Sequence, residues 1–366
     1  MLPKKRQPSV IQELEVIYMI RVGIIGCGKI AQTRHIPEYS SNDKCEIAGF
    51  FDFNKERAGK LAKKYGGKAY DSAGELIADK DIDAVSICTS NDTHAELTLA
   101  ALSAGKHVLC EKPMATNLED CEKMAKAAED NNRYLMIDMN QRLAKAHIKA
   151  KKLLENGEIG RVISFQTTFG HSGPETWSID PGTSSWFFDR KRAAMGAMAD
   201  LGVHKTDLIQ FILDQRVIET TAKVTTLDKR YANGELIGVD DNAFCIYRME
   251  DGTTGTMRAS WTFYGAEDNS TVIYGTLGTM RIYDSPEYSI VITKKNGDEI
   301  LMDLDKIQTN DNQTKSGIID MFIESLYNDV EPPINVKGVL SAMRAVFASI
   351  KSSDEGRTIT IEENRR

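Results

Sequence analysis

The sequence predicts an α/β protein in two parts: a doubly wound parallel sheet, then an α/β unit whose open sheet is mostly antiparallel. Three observations predict it. From residue 20 to residue 156, short apolar runs alternate with helical stretches of about a dozen residues, the pattern of β-α-β units. The first apolar run passes directly into a glycine-rich turn at Gly26-Cys27-Gly28. Beyond Gly160 the pattern becomes a succession of strand-like runs with few helices between them, and such strands pair mainly antiparallel.

Residues 20–25 read as the first buried strand, and the turn that follows is Gly26-Cys27-Gly28-Lys29-Ile30-Ala31. This is the G-x-G-x-x-A spacing of a dinucleotide-binding turn: Gly26 permits the tight bend, Gly28 lets a pyrophosphate approach the backbone, and Ala31 lets the next helix pack on the strand. The N–H groups at the helix start, at Lys29 and Ile30, face the phosphates. That helix is expected over 29–39, stopped near Pro37. The next strand, 47–51, closes on Asp52, at roughly the 20-residue distance of a ribose-binding carboxylate. The competing reading is a glycine turn with a solvent-facing Asp52.

Helices are then expected at 54–65, capped by Asn54 and stopped by Gly66-Gly67, and at 72–78. A strand at 84–88 ends in Thr89-Ser90-Asn91-Asp92, and a helix over 93–104 stops at Gly105. A strand at 107–110 leads into Glu111-Lys112-Pro113, followed by a helix at 117–131 and a strand at 134–138. Another helix runs from beyond Asn140-Gln141-Arg142 to about Asn156. Later strands are expected at 161–169, 217–227, 243–249, 253–262, 270–274, 279–283 and 288–293, with helices at 197–213, 315–327 and 338–352. Residues 170–195 have little periodicity; a loop this long is functional or disordered as a rule, and Trp177 and Trp186 argue for order. The division expected is an N-terminal appendage at 1–18, a dinucleotide-binding domain at 19–141 and a substrate and oligomerisation domain at 142–366.

Composition narrows the partners. A net charge of -7 argues against a sequence-independent nucleic-acid surface, and no apolar stretch approaches the roughly 18 residues needed to span a bilayer. The six cysteines form no C-x-x-C pair, and the N-terminus has no apolar h-region of signal-peptide type. A cytoplasmic enzyme without disulfides, acting on a small molecule, is expected, and no metal site is read.

Several residues could carry chemistry. Lys112 follows a parallel strand at the carboxyl edge, where ligands of open α/β sheets sit, and Pro113 holds it extended. Asp200 and His204 are four apart and Asp207 three further on, so all share one face of the predicted helix. A carboxylate beside a histidine suits proton transfer to or from a hydroxyl; an ordinary helix-surface pair is the bland alternative. Thr89, Ser90 and Asn91 end a strand and could reach a cofactor or cap the next helix, whose first turn holds His94. His171 lies in the aperiodic loop as a candidate substrate contact, whereas His35, His107 and His147 read as structural.

The order of these pieces resembles the Gfo/Idh/MocA oxidoreductases. The resemblance rests on 26–31, Asp52, Thr89-Ser90-Asn91-Asp92-Thr93-His94 and 104–113 through Glu111-Lys112-Pro113. It continues through the N-x-R element Asn140-Gln141-Arg142 and through Trp186 followed by 196–204, ending Asp200-Leu201-Gly202-Val203-His204. It implies a Rossmann domain, NAD or NADP as cofactor, redox chemistry on a secondary hydroxyl of a sugar, inositol or related polyol, and a homo-oligomer joined through the second sheet. It also implies Lys112, Asp200 and His204 as catalytic residues that contact the substrate, with Arg57, His94, Glu111, Lys112, Asn140 and Trp186 beside the cofactor. The usual glycine run is replaced by Ala194-Met195-Gly196-Ala197, and Phe51-Asp52-Phe53 lacks the Ser-Arg pair of NADP users, which favours NAD although Arg57 is nearby. Two other readings stay open: a redox-neutral enzyme that cleaves glycosides through transient C3 oxidation, and a non-catalytic dinucleotide sensor.

Overall fold

The computed structural model describes residues 19–179, 181–307 and 315–362. The expected appendage at 1–18 therefore lies outside the described residues. The first sheet contains β1 (Ile20–Ile25), β2 (Cys45–Phe51), β3 (Lys68–Ala69), β4 (Ala84–Ile87), β5 (His107–Cys110) and β6 (Leu135–Ile137). Its order is β3-β2-β1-β4-β5-β6, with every neighbouring pair parallel. The order reverses at β1, so a crevice opens beyond the carboxyl ends of β1 and β4. Helices cover the sheet, which is why β4 to β6 show no alternation and have almost every residue buried, Ser86 included.

The second sheet contains β7 (Val162–Gly170), β8 (Val217–Thr225), β9 (Asn242–Met249), β10 (Thr254–Ser260), β11 (Thr271–Gly275), β12 (Gly278–Ile282), β13 (Ile290–Lys294), β14 (Glu299–Met302) and β15 (Ile359–Thr360). Its order is β14-β13-β12-β11-β7-β10-β9-β8-β15. Among these pairs β7 and β10 run parallel, while β11 pairs antiparallel with β7 and β9 with β10. Helices Val203–Leu213 and Val336–Glu355 pack on one face, over Ala243, Cys245, Tyr247, Met257 and Ala259. On the other face the β9 positions Phe244 and Ile246 alternate outward and are exposed.

The structure corrects the expected elements in three places. Pro37 does not stop the first helix: a π-helical turn at Ala31–His35 runs on into a short α-helix, Ile36–Ser40, and Pro37 sits at the start of that second segment. The helix expected over 197–213 is a π-helical turn, Met198–Gly202, joined to the α-helix Val203–Leu213. Strands β3, β14 and β15 were not expected; they are two to four residues long and lie at or beside sheet edges, too short for alternation to register.

Candidate active site

A cleft of about 930 Å³ runs from the Gly26–Gly28 turn to the face of the second sheet, and both units line it. Gly26 has φ +88°, and a Cβ there would lie 2.7 Å from the Cys88 carbonyl, so only glycine fits. A Cβ on Gly28 would meet nothing within 4 Å, which leaves the backbone open toward the cleft. This cradle fits a pyrophosphate, and Lys29 and Ile30 line it as expected. Asp52 faces the cleft and is not solvent-facing, with its side chain 12% exposed. Its Oδ2 accepts from the Cys27 N–H at 2.7 Å, its Oδ1 from the Asn54 N–H at 2.7 Å, and Arg57 Nη1 stands 3.6 Å away. The carboxylate thus braces the glycine turn while keeping lone pairs for a ribose.

Thr89, Ser90 and Asn91 line the cleft, and none caps the following helix. Instead the Asn91 carboxamide donates to the Ala193 carbonyl at 3.0 Å, tying the β4 loop to the aperiodic segment. His94 is a correction. It is fully buried, its Nδ1 faces the Pro113 carbonyl at 2.8 Å and its Nε2 the Thr89 carbonyl at 3.3 Å, so the ring spans two loops and does not line the cleft. Glu111 lines the cleft, but its Oε1 is held by His35 Nε2 at 2.9 Å. Asn140 and Trp186 line it too, with Asn140 Oδ1 buried and without a hydrogen-bond partner among the described residues. Trp186 stacks on Phe187 with centroids 4.0 Å apart.

At the other end of the cleft, Lys112 Nζ donates to Asp200 Oδ1 at 2.9 Å. Asp200 Oδ2 accepts from Trp261 Nε1 at 3.0 Å and stands 3.7 Å from His171 Nε2. The Gly173 N–H donates to His171 Nδ1 at 3.0 Å, so the proton of a neutral His171 ring sits on Nε2, toward Asp200. Burial alone would raise the Asp200 carboxyl, yet Lys112 and His171 outweigh it and hold it below the usual carboxylate range. His204 lines the cleft, and its Nδ1 has no partner among the described residues. Burial, then the Lys112 ammonium, push its imidazole down to about 3.

Asp200 and His204 both line the cleft across the junction of the π-helical turn with the α-helix, but Asp200 bonds to Lys112 and Trp261 and makes no hydrogen bond to His204 among the described residues. Asp207 is bound by Arg142 Nε at 2.7 Å. Asp240 shapes that turn: its carboxylate accepts the N–H groups of Gly196 and Met198, each at 2.7 Å. A Cβ at Gly196 would lie 1.8 Å from the Asp240 carbonyl, and Ala194 adopts φ +63° where the glycine run would ordinarily stand. Trp261 and Asp240 escaped the sequence reading. One of only three tryptophans, at the end of β10, and an Asp-Asp pair just before β9 were the available signals.

Two family models match the chain: the Gfo/Idh/MocA oxidoreductase NAD-binding Rossmann fold over residues 20–139, and a Gfo/Idh/MocA C-terminal domain over 147–281. The chain is 28% identical to a myo-inositol 2-dehydrogenase of Thermotoga maritima over 94% of its own length and 99% of that protein's. It is 32% identical to a 1,5-anhydro-D-fructose reductase of Ensifer adhaerens over 72% and 75% of the two chains. A levoglucosan dehydrogenase solved with NADH and levoglucosan superposes with a TM-score of 0.81, at 23% identity over 94% of this chain and 99% of that one. With a dinucleotide cradle on one sheet edge, a lysine-carboxylate pair across the cleft and both family patterns in register, the chain belongs to the Gfo/Idh/MocA family of oxidoreductases.

Proposed function

We propose that the protein is an NAD-dependent dehydrogenase moving hydride between the nicotinamide and a secondary hydroxyl of a sugar, glycoside or inositol. The observation that carries this reading is the continuity of one cleft from the Gly26–Gly28 cradle to Lys112, Asp200 and His204. The names of the relatives, dehydrogenases and reductases of such compounds, support it. The dinucleotide, when bound, supplies hydride chemistry; the chain supplies binding, orientation and proton handling. Gly26, Gly28, Lys29 and Ile30 would hold the pyrophosphate, Asp52 the adenosine ribose, and Thr89 to Asn91, Asn140 and Trp186 the remainder.

In this reading Asp200, fixed by Trp261, holds the Lys112 ammonium toward the substrate oxygen, where it stabilises developing negative charge. His204 is neutral near pH 7 and lines the cleft, where its imidazole is the acceptor for the hydroxyl proton. His171 Nε2–H, beside Asp200, donates to a neighbouring substrate hydroxyl. Phe169, Trp177 and Phe187 line the same region and give the apolar face of a sugar ring a surface. The same reading takes the exposed face of the second sheet as the contact of a homo-oligomer and divides the chain into domains near residue 141.

The deciding experiment incubates purified protein with NAD or NADP and inositols, hexoses, anhydro-sugars or glycosides, and follows NADH absorbance. Net NADH formation with one of these classes supports the proposal. Glycoside cleavage without net NADH, or no turnover of any class, overturns it.

A further inference from the structure

Beneath the catalytic lysine lies a second charged group of side chains that the proposed reaction does not use. Glu111 Oε2 accepts the main-chain N–H of Lys112 at 3.2 Å, and Glu111 Oε1 faces His35 Nε2 at 2.9 Å. His35 Nδ1 lies 2.8 Å from Ser86 Oγ, which also accepts from the Tyr39 hydroxyl at 3.3 Å. Asp138 Oδ2 stands 3.5 Å from His35 Nε2 and 3.7 Å from Arg34 Nη1. His35 is fully buried, and Glu111 and Asp138 are 5% and 1% exposed. These residues come from four places in the first unit: the π-helical turn with the short helix after it, β4, and the loops that follow β5 and β6.

We propose that His35 is a positioning residue for Lys112: as a buried imidazolium between Glu111 and Asp138, it holds the Glu111 carboxylate in place, and Glu111 in turn fixes the main chain that aims the lysine at Asp200. The inference rests on Lys112 being the catalytic lysine.

The charge count favours this arrangement. Two buried carboxylates against Arg34 alone would leave one uncompensated negative charge in the interior, which is costly; a protonated His35 balances the set. The groups facing His35 are Arg34 and Tyr39 from its own segment, Ser86 and Cys88 from β4 and its end, Glu111 after β5 and Asp138 after β6. Burial opposes the imidazolium, but the Asp138 and Glu111 carboxylates on either side outweigh it and hold His35 well above the ordinary imidazole value. The donor atoms of His35, Glu111 and Asp138 lie within 4.8 Å of one another, a spacing a cation could also use. The Arg34 guanidinium beside Asp138 already occupies the electrostatic role such an ion would play. Outward, the same set reaches the proton acceptor, because His204 feels both Asp138 and Arg34.

The test uses the full-length protein with NAD and the best substrate of the screen. In nitrogen-15 spectra of the histidine rings at about pH 8, where a free imidazole is neutral, wild type should show one ring with both nitrogens protonated, and His35→Gln should lack it. His35→Gln keeps an N–H donor toward Glu111 but no charge. It should bind NAD as wild type does and lose about tenfold or more in kcat with KM little changed, the signature of a misplaced group in the transition state. Glu111→Gln, which keeps the side-chain shape, should show the same kcat-against-KM split, and it decides the matter if His35→Gln fails to fold. A neutral His35 at that pH, wild-type kcat in either folded variant, or a stoichiometric metal ion in the purified protein would overturn the proposal. Full activity in Lys112→Ala, with the His35 ring still doubly protonated, would instead sink the catalytic reading of Lys112 and leave the buried charge set standing.

Discussion

Lys112 and Asp200 join the two units through one ammonium: Lys112 Nζ donates to the Asp200 carboxylate at 2.9 Å and to the Asp200 main-chain carbonyl at 3.0 Å. The lysine comes from the end of β5 and the carboxylate from the π-helical turn, so the pair exists only when the cleft is assembled. Asp200→Asn keeps the size and one acceptor but removes the charge that holds the ammonium. The expected result is a fall in kcat of about 10²-fold, the low end of what a positioned acid/base group contributes, with NAD affinity unchanged in a fluorescence titration. His204→Ala should lower kcat by about 10²–10⁴-fold, also without loss of NAD binding. Near-normal kcat in His204→Ala across the pH range would remove His204 from the proton path.

Asp52 leads to a cofactor prediction. Its carboxylate faces the cleft beside the glycine turn, where a ribose hydroxyl would donate to it and a 2′-phosphate would be repelled. The expected kcat/KM is higher with NAD than with NADP. In Asp52→Ser, Arg57, now 3.6 Å from the lost carboxylate, is released toward a phosphate, and the preference should narrow or invert. An NADP preference in the wild type would refute this.

Much of this site was legible before any coordinates. The fingerprint turn, Asp52, Lys112 and the parallel or antiparallel character of the two sheets follow from local rules: a glycine where only glycine fits, a strand that stops at a polar residue, helices that alternate with strands or are absent between them. Partnerships were not legible. The helical spacing puts Asp200 beside His204, and both do line the cleft, but it does not disclose that the carboxylate bonds to Lys112 and Trp261. His94 belongs to the family-like stretch that the resemblance sets beside the cofactor, yet its ring turns inward to the Pro113 carbonyl. Trp261 reaches Asp200 across 61 residues, a contact made by sheet topology that no local pattern encodes.

His147 makes a prediction about acid stability. It is fully buried, its Nδ1 bonds to the Gln141 carbonyl, and burial followed by Lys205 pushes it down to about 3. Its folded value lies below its unfolded value near 6.5, so the unfolded chain binds the extra proton first and stability falls as pH drops below about 6.5. At pH 5 that contribution amounts to about 2 kcal/mol, lost from wild type and absent from a variant lacking the ring. The Tm gap between wild type and His147→Gln should therefore narrow on going from about pH 7.5 to 5. A gap that widens or stays constant contradicts the buried neutral histidine.

The second sheet is packed by helices on one face and open on the other. Register carries one row across the open face: Ile246 pairs with Thr221 and Thr256, Thr256 with Gln166, Gln166 with the buried Val272, Val272 with Arg281, Arg281 with Val291 and Val291 with Leu301. Phe244, Ile246 and Leu301 on this face are 39%, 52% and 47% exposed, whereas the opposite face is buried under helices. A sheet face that exposes Phe244, Ile246 and Leu301 among polar side chains offers a mixed surface for association, and a second copy of the chain presents the same row back to it. Light scattering at micromolar concentration should report a dimer or larger assembly. Ile246→Glu places a charge in the middle of the row, far from Lys112 and His204 in the fold, and should shift the population toward monomer while the protein still binds NAD. A wild type that is monomeric at that concentration removes the sheet face as an interface.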